Sequence, residues 1–270
     1  MTKYSTINCS VAISHSKLPG LDYSLNPYFG CEHGCIYCYS PSVFRNKEIV
    51  KNWGKFVKAK INIVDVLSKQ LKKIPKGVVG MSTVTDPYQP LEAKLQLSKR
   101  CIEELSANEF PISIQTKSDL VLRDKDLINS EGFDIGVTLI TLDNDLARRL
   151  GPRTSSPESL IQVLEELSER GVDTWIFYGP VIPEINDGED NIIKLVNLAK
   201  KTKSELIYDR LNPKFWVLDS MKPFLEKEKP GLKYRLPNLI KQNSEYWCIF
   251  REKIETICLK KGVHCKPAFT

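Results

Sequence analysis

The chain has 270 residues, 41% of them hydrophobic and 27% charged, with a net charge of +6. That length suits one sizeable α/β domain, and no apolar run is long enough to span a bilayer, which excludes a membrane-embedded role. The charge excess permits nucleic-acid binding without demanding it, and the opening MTKYSTINCS lacks the apolar core of a secretion signal, so a cytoplasmic protein with reduced thiols is expected.

Strand and helix signals alternate along the chain. Tyr23 to Tyr28 reads as a short strand leading into a cysteine-bearing loop. Ile61 to Lys72 carries Ile63, Val66, Leu67 and Leu71 at helical spacing. Gly77 to Val84 is a continuous apolar strand signal, Leu95 to Ala107 a helix, Phe110 to Thr116 a strand, and Asp124 to Ser130 a short helix. Phe133 to Thr141 is the next strand. Ser156 to Arg170 is an amphipathic helix, with Ser155 or Ser156 as cap, Pro157 in the first turn and Gly171 just past the end. Val172 to Pro180 is a strand, Asn191 to Lys201 a helix and Ser204 to Leu211 a strand. The stretch from Asn212 to Pro237 is rich in Lys and Pro, and a helix follows from about Ser244 to Lys261. Six strands with helices between them predict parallel pairing and right-handed crossovers. The reading divides the chain into an N-terminal extension (1–14), a core domain (15–212) and a C-terminal helical cap (213–270).

The densest chemical signal is the run NPYFGCEHGCIYCYS, with Cys31, Cys35 and Cys38 spaced four and three apart. Thiolates are soft ligands suited to iron–sulfur clusters or zinc. A closed structural zinc site takes four ligands, whereas three cysteines on a cubane cluster leave one iron free. His33, inside the loop, is the local alternative for a fourth zinc ligand, at a spacing unlike the usual zinc motifs. Gly30 and Gly34 allow the tight bend, and Tyr37 offers a flat ring. The remaining cysteines are Cys9, Cys101, Cys248, Cys258 and Cys265. The last three leave room for a second cluster, but buried structural thiols are the plainer reading.

The CxxxCxxC spacing with an aromatic before the third cysteine resembles the radical S-adenosylmethionine (SAM) signature. The flanking residues resemble the spore photoproduct lyase-like, or "DNA repair photolyase", branch. The resemblance implies a partial (β/α)6 barrel with its site at the C-terminal strand ends, a [4Fe–4S] cluster on Cys31, Cys35 and Cys38, and SAM as second cofactor. It also implies an enzyme that reductively cleaves SAM to a 5′-deoxyadenosyl radical for hydrogen abstraction, as lyase or transferase. A low-potential electron donor of flavodoxin or ferredoxin type is the implied partner.

Residue by residue, the resemblance extends to Thr85 and Asp86 in Thr85-Asp86-Pro-Tyr88-Gln-Pro90, expected near SAM's amino group. Lys117 in Thr116-Lys117-Ser118 is expected at the SAM carboxylate, Thr138 at the ribose, and the backbone of Pro183 to Asp187 near the adenine. The segment ARRLGPR has Gly151 where the family reads Glu, which removes any role for an acid there. No cysteine lies between Gly80 and Thr85, where spore photoproduct lyases carry a hydrogen donor, so repair of that lesion is not expected. The substrate stays open, nucleic acid among the candidates. Lys47, Lys51, Lys55, Lys58 and Lys60, interleaved with Trp53 and Phe56, suit phosphate tracking and base stacking or an ordinary solvated face. A non-catalytic iron–sulfur or zinc scaffold is the alternative of a different class.

Overall fold

The computed structural model describes residues 1–44 and 46–268. In chain order its elements are β1 (Lys3–Ile7), β2 (Ile13–His15), β3 (Tyr23–Leu25), β4 (Tyr28–Phe29), α1 (Ser40–Val43), α2 (Lys47–Lys51), β5 (Phe56–Lys60), α3 (Ile63–Leu71), β6 (Val79–Met81), α4 (Glu92–Leu95), α5 (Leu97–Ala107) and β7 (Ile112–Thr116). Then follow β8 (Phe133–Thr138), α6 (Asn144–Leu150), α7 (Pro157–Glu169), β9 (Asp173–Val181), α8 (Glu189–Lys201), β10 (Glu205–Arg210), α9 (Phe215–Glu228), α10 (Leu232–Leu239), α11 (Glu245–Lys261) and β11 (Cys265–Pro267).

One eight-stranded sheet runs β11-β10-β9-β8-β7-β6-β3-β2. Every pair from β3 to β11 is parallel, and β2 alone is antiparallel, against β3. The six expected strands are all present in it, and α3, α5, α7 and α8 bury Leu67, Ile102, Leu164 and Leu195 in the main core. The sheet does not close, since β2 and β11 remain edges. Its inner face still curls around a cavity of about 1040 Å³, lined by Gly80, Ser113, Gln115, Asp134, Phe177 and Ile207 from successive strands. This is an α/β partial barrel.

Several boundaries differ from the sequence reading. The Tyr23–Tyr28 strand is two strands, broken at Pro27, which has no N–H for the ladder. The second piece, β4, pairs instead with β5 in a small sheet of order β1-β5-β4. The helix expected over Asp124 to Ser130 is replaced by a 3₁₀ turn at Asp119–Asp124, capped by the Ser118 hydroxyl accepting from the Leu120 N–H. Asp124 is buried and paired with Arg123 at 2.6 Å. The Pro-rich stretch after Asn212 forms α9 and α10, with Pro223 and Pro237 inside them. These two helices, within the 213–270 stretch expected to form the cap, bury Leu225, Leu232 and Leu236 in one cluster with Cys35 and Tyr37 of the cysteine loop. Beyond them, α11 packs Trp247, Phe250 and Ile254 into the barrel core, and β11 joins the sheet beside β10.

Of the outlying thiols, Cys101 and Cys258 are buried, Cys9 and Cys265 half-buried, and Cys248 exposed, so burial does not account for all three C-terminal cysteines. No helix among the described residues is long and apolar enough to cross a membrane.

Candidate active site

The cysteine loop leaves the top of the first barrel strand, β3, by way of β4. Gly30 and Gly34 adopt left-handed φ values of 87° and 62°, which glycine tolerates without a Cβ penalty. A Cβ on Gly54 would lie 2.8 Å from the Gly34 Cα, so two backbones meet here and hold the loop's shape. Cys31 and Cys35 are buried and Cys38 half-buried, and all three line the large cavity.

Burial pushes the Cys31 thiol well up, and Asp86, Cys35 and Cys38 add to the effect. Burial likewise raises Cys35 to about 11. Two buried thiols raised in this way, Cys31 and Cys35, are poor anions alone and good ligands for a cationic core, whose charge reverses that penalty. Among the described residues no three His, Cys, Asp or Glu side chains close on a single metal-ion position. The thiols instead line the wall of a wide space, which suits a polynuclear cluster.

The loop is fastened by residues that the sequence reading passed over. Gln89 is fully buried. Its Nε2 donates to the Gly30 carbonyl at 3.2 Å and to Thr85 Oγ1 at 3.0 Å, and its Oε1 accepts the Glu32 N–H at 2.8 Å. Arg153 Nη1 donates to the Glu32 carbonyl at 2.8 Å and the Gly54 carbonyl at 2.6 Å. From the cap, Ser220 donates to the Ile36 carbonyl. The signal for Gln89 was the TDPYQP string itself, read only for its first two residues. Arg153 had none, because its partners are backbone atoms about a hundred residues away.

Asp86 is the hub beneath the loop. Its Oδ1 accepts from the Thr116 hydroxyl at 2.8 Å and the Tyr88 N–H at 2.9 Å, and its Oδ2 accepts from the Lys117 N–H at 2.8 Å. His33 Nδ1 stands 3.4 Å from Oδ2, so His33 turns toward the strand ends. Burial alone would raise Asp86, but His33, Lys117 and Thr116 outweigh it and hold the carboxyl below its usual range. The Thr85 hydroxyl donates to the Gly30 carbonyl at 2.7 Å. Both predicted SAM-contact residues on this strand end thus already brace the loop, while lining the cavity.

Lys117 lines the same cavity. Thr138 lies off it, in an adjoining pocket of about 20 Å³ that Tyr37, Lys117 and Thr141 also line. Its hydroxyl accepts from Gln115 Nε2 at 3.0 Å. Tyr37 is buried against Cys35. Gly151 gains a physical reason: a Cβ there would sit 3.3 Å from Cys35 Sγ and 3.0 Å from Thr154 Cγ2. In the Pro183–Asp187 segment, Asn186 is the buckle. Its Oδ1 accepts from the Ile182 N–H at 2.6 Å, and its Nδ2 donates to the carbonyls of Ile140 at 3.1 Å and Pro180 at 3.0 Å. Ser82, ending β6, is buried at a left-handed φ of 62°, a strained conformation of the kind found at functional sites.

The basic stretch divides in two. Phe29, Phe44, Trp53 and Phe56 contact one another at ring centroid distances of 4.6 to 6.5 Å, forming a satellite core. Only Trp53 of these lines the cavity. Lys47, Lys51, Lys55 and Lys58 are exposed around it, and Lys60 is half-buried.

The comparisons with known proteins agree with this geometry. An uncharacterized protein of Methanocaldococcus jannaschii is 34% identical over 184 residues, covering 68% of this chain and 69% of that one. An uncharacterized protein of Mycobacterium tuberculosis is 28% identical over 64% of this chain, which spans 54% of that protein's length. A Radical SAM Nalpha-GlyT isomerase of a Pseudomonas phage is 26% identical over 61% of this chain and 34% of its own. Among solved structures, spore photoproduct lyase complexed with dinucleoside spore photoproduct matches with a TM-score of 0.74 at 13% identity, over 98% of this chain and 82% of that one. The Radical SAM superfamily model matches residues 25–196, a span that holds the three thiols, the Asp86 hub and Lys117, and the chain belongs to that superfamily.

Proposed function

We propose that this chain is an enzyme that cleaves SAM reductively and applies the resulting radical to a nucleoside-type substrate. The observation that carries the reading is the convergence of the three thiols of the cysteine loop, the Asp86 hub and Lys117 on one cavity at the strand tops. Bound there, a reduced [4Fe–4S] cluster would supply the electron for SAM cleavage, and SAM the hydrogen-abstracting chemistry.

The residues divide that work. Cys31, Cys35 and Cys38 hold the cluster. Lys117 offers a point charge to the methionyl carboxylate. Asp86 places negative charge at the ammonium end and, with Thr85, keeps the loop in register with the strand tops. Tyr37 and Thr138, around the side pocket, bound the sugar's space. The cap helices α9 and α10 close over the loop and exclude water, which protects reactive species from quenching. A low-potential flavodoxin- or ferredoxin-type protein is the proposed reductant.

Support for a nucleoside substrate comes from a protein of the same fold, solved with a dinucleoside spore photoproduct bound. Lys51 and Lys55, exposed and two residues to either side of the cavity-lining Trp53, supply positive charge suited to a phosphate backbone. The test is anaerobic reconstitution followed by dithionite and SAM. Wild type should release 5′-deoxyadenosine, and the triple Cys31→Ala, Cys35→Ala, Cys38→Ala variant should hold no cluster iron. Full iron and sulfide in that variant would sink the ligand assignment. Iron-loaded wild type that binds SAM and never cleaves it would fit the scaffold alternative instead.

A further inference from the structure

The last barrel strand, β10, ends in two adjacent charges with no role in the machinery above. Along β10 the side chains alternate: Ile207 lines the cavity, while Tyr208 is buried on the outer side against Trp247 and Phe250. At the strand's end the register with β9 slips. Tyr208 pairs with Tyr178 and Arg210 with Val181, so that Asp209 of β10 stands opposite two residues of β9, Gly179 and Pro180. Such irregularities re-aim side chains near active sites. Here Asp209 and Arg210, which strict alternation would put on opposite faces, both line the cavity.

Asp209 and Arg210 form no side-chain ion pair; among the described residues the Asp209 carboxylate accepts the Arg210 backbone N–H, at 2.9 Å. Arg210 Nη1 donates to the Ile240 carbonyl of the cap at 2.8 Å, which fixes the guanidinium. No ion pair joins Asp209 to a cation among the described residues. Burial pushes Asp209 up to about 6, with the Arg210 N–H and the Arg210 charge offsetting part of the rise. A half-buried carboxylate with one backbone donor keeps acceptor positions free, and a ligand's N–H would fill one. A fixed acceptor beside a fixed donor is complementary to an N–H next to a C=O. Phe177 from β9 and Tyr39 from the cysteine loop line the same cavity as the pair. Flat walls and an acceptor–donor edge together suit a planar ring that displays an imide.

We propose that Asp209 and Arg210 are the specificity pair that reads the imide edge of a pyrimidine-dione base, Asp209 accepting the ring N–H and Arg210 donating to the adjacent carbonyl. The proposal rests on the nucleoside reading above and assigns it two residues.

The probe is a thymidine dinucleotide, with its N3-methylated analogue as control, titrated against anaerobic cluster-loaded protein containing SAM. Wild type should bind the N3-methyl analogue at least tenfold more weakly than the parent, because the donated proton is gone. Asp209→Leu should weaken the parent by a similar factor and leave the analogue's affinity unchanged, so that the two changes are not additive. SAM affinity and iron content should be the same in wild type and Asp209→Leu. Equal binding of parent and analogue by wild type, which depends on no variant's folding, would overturn the imide assignment. So would loaded, SAM-cleaving wild type that ignores both dinucleotides. Wild type that holds neither iron nor SAM would instead overturn the radical SAM reading itself, and the pair's assignment with it.

Discussion

Replacing Gln89 tests how the cysteine loop is held. Gln89→Leu keeps roughly the same volume and removes three hydrogen bonds from a fully buried position. The Gly30 carbonyl keeps the Thr85 hydroxyl. The Glu32 N–H loses its acceptor. The orphaned buried N–H costs about 1–3 kcal/mol, and the two other lost bonds about 1 kcal/mol net each, so a total of about 3–5 kcal/mol is expected. For a domain of this size that is a fall in Tm of roughly 6–20 °C. The damage is local to the loop, so iron should also leave faster. Gln89→Glu separates hydrogen bonding from shape. It is nearly isosteric, but it sets a carboxylate oxygen against the Gly30 carbonyl that the amide now serves as donor. It should be no better than Leu. The assay is calorimetry under anaerobic conditions together with the rate of iron loss to a chelator. A Gln89→Glu protein within about 2 °C of wild type and with unchanged iron release would refute the fastening role.

Lys117→Ala should keep its cluster and lose SAM affinity by tenfold or more, since a charge-assisted contact is worth about 1.5–3 kcal/mol; an unchanged SAM dissociation constant would rule the contact out. Gly151→Glu should lower the iron bound per protein, because the new side chain starts 3.3 Å from Cys35 Sγ; full iron with an unaltered cluster spectrum would show that the neighbourhood yields easily. Spore photoproduct should not be converted cleanly to thymines, because the Gly80–Thr85 stretch supplies no thiol. Thr83 lies there with its hydroxyl engaged with Ser24 at 2.6 Å, and many clean turnovers in an anaerobic assay would contradict the expectation.

The strands and the thiol loop were legible in sequence because their signals are local. Apolar runs such as Phe110 to Thr116 differ by only two residues from the strand observed at Ile112–Thr116. Elements that depend on distant partners were not. The small sheet needs β1 to find β5 some fifty residues on, through pairs such as Lys3 with Phe56. Nothing in KYSTI announces that. The Leu95–Ala107 helix is instead two helices hinged at Gln96, at a left-handed φ of 51°, a detail no periodicity reveals. Pro223 and Pro237 argued against helix in a stretch where Val217, Met221, Leu225, Leu232 and Leu236 nonetheless form a buried face, so tertiary burial overrode local propensity. In the site, residue types were legible and their engagements were not: Asp86 was visible as a carboxylate, its partners Thr116 and the Lys117 N–H only after folding.

The two apolar clusters have a consequence for biogenesis. Cys35 and Tyr37 do not belong to the barrel's core; they share a separate one with Leu225, Leu232 and Leu236 of the cap. The barrel strands and their helices can therefore condense without the loop being finished, in the way that cooperative units form at different stabilities. The thiols still line the large cavity, so iron and sulfide can reach them with α9 and α10 in place. Order in the cysteine loop and order in these two helices should therefore rise and fall together, ahead of any loss of the barrel.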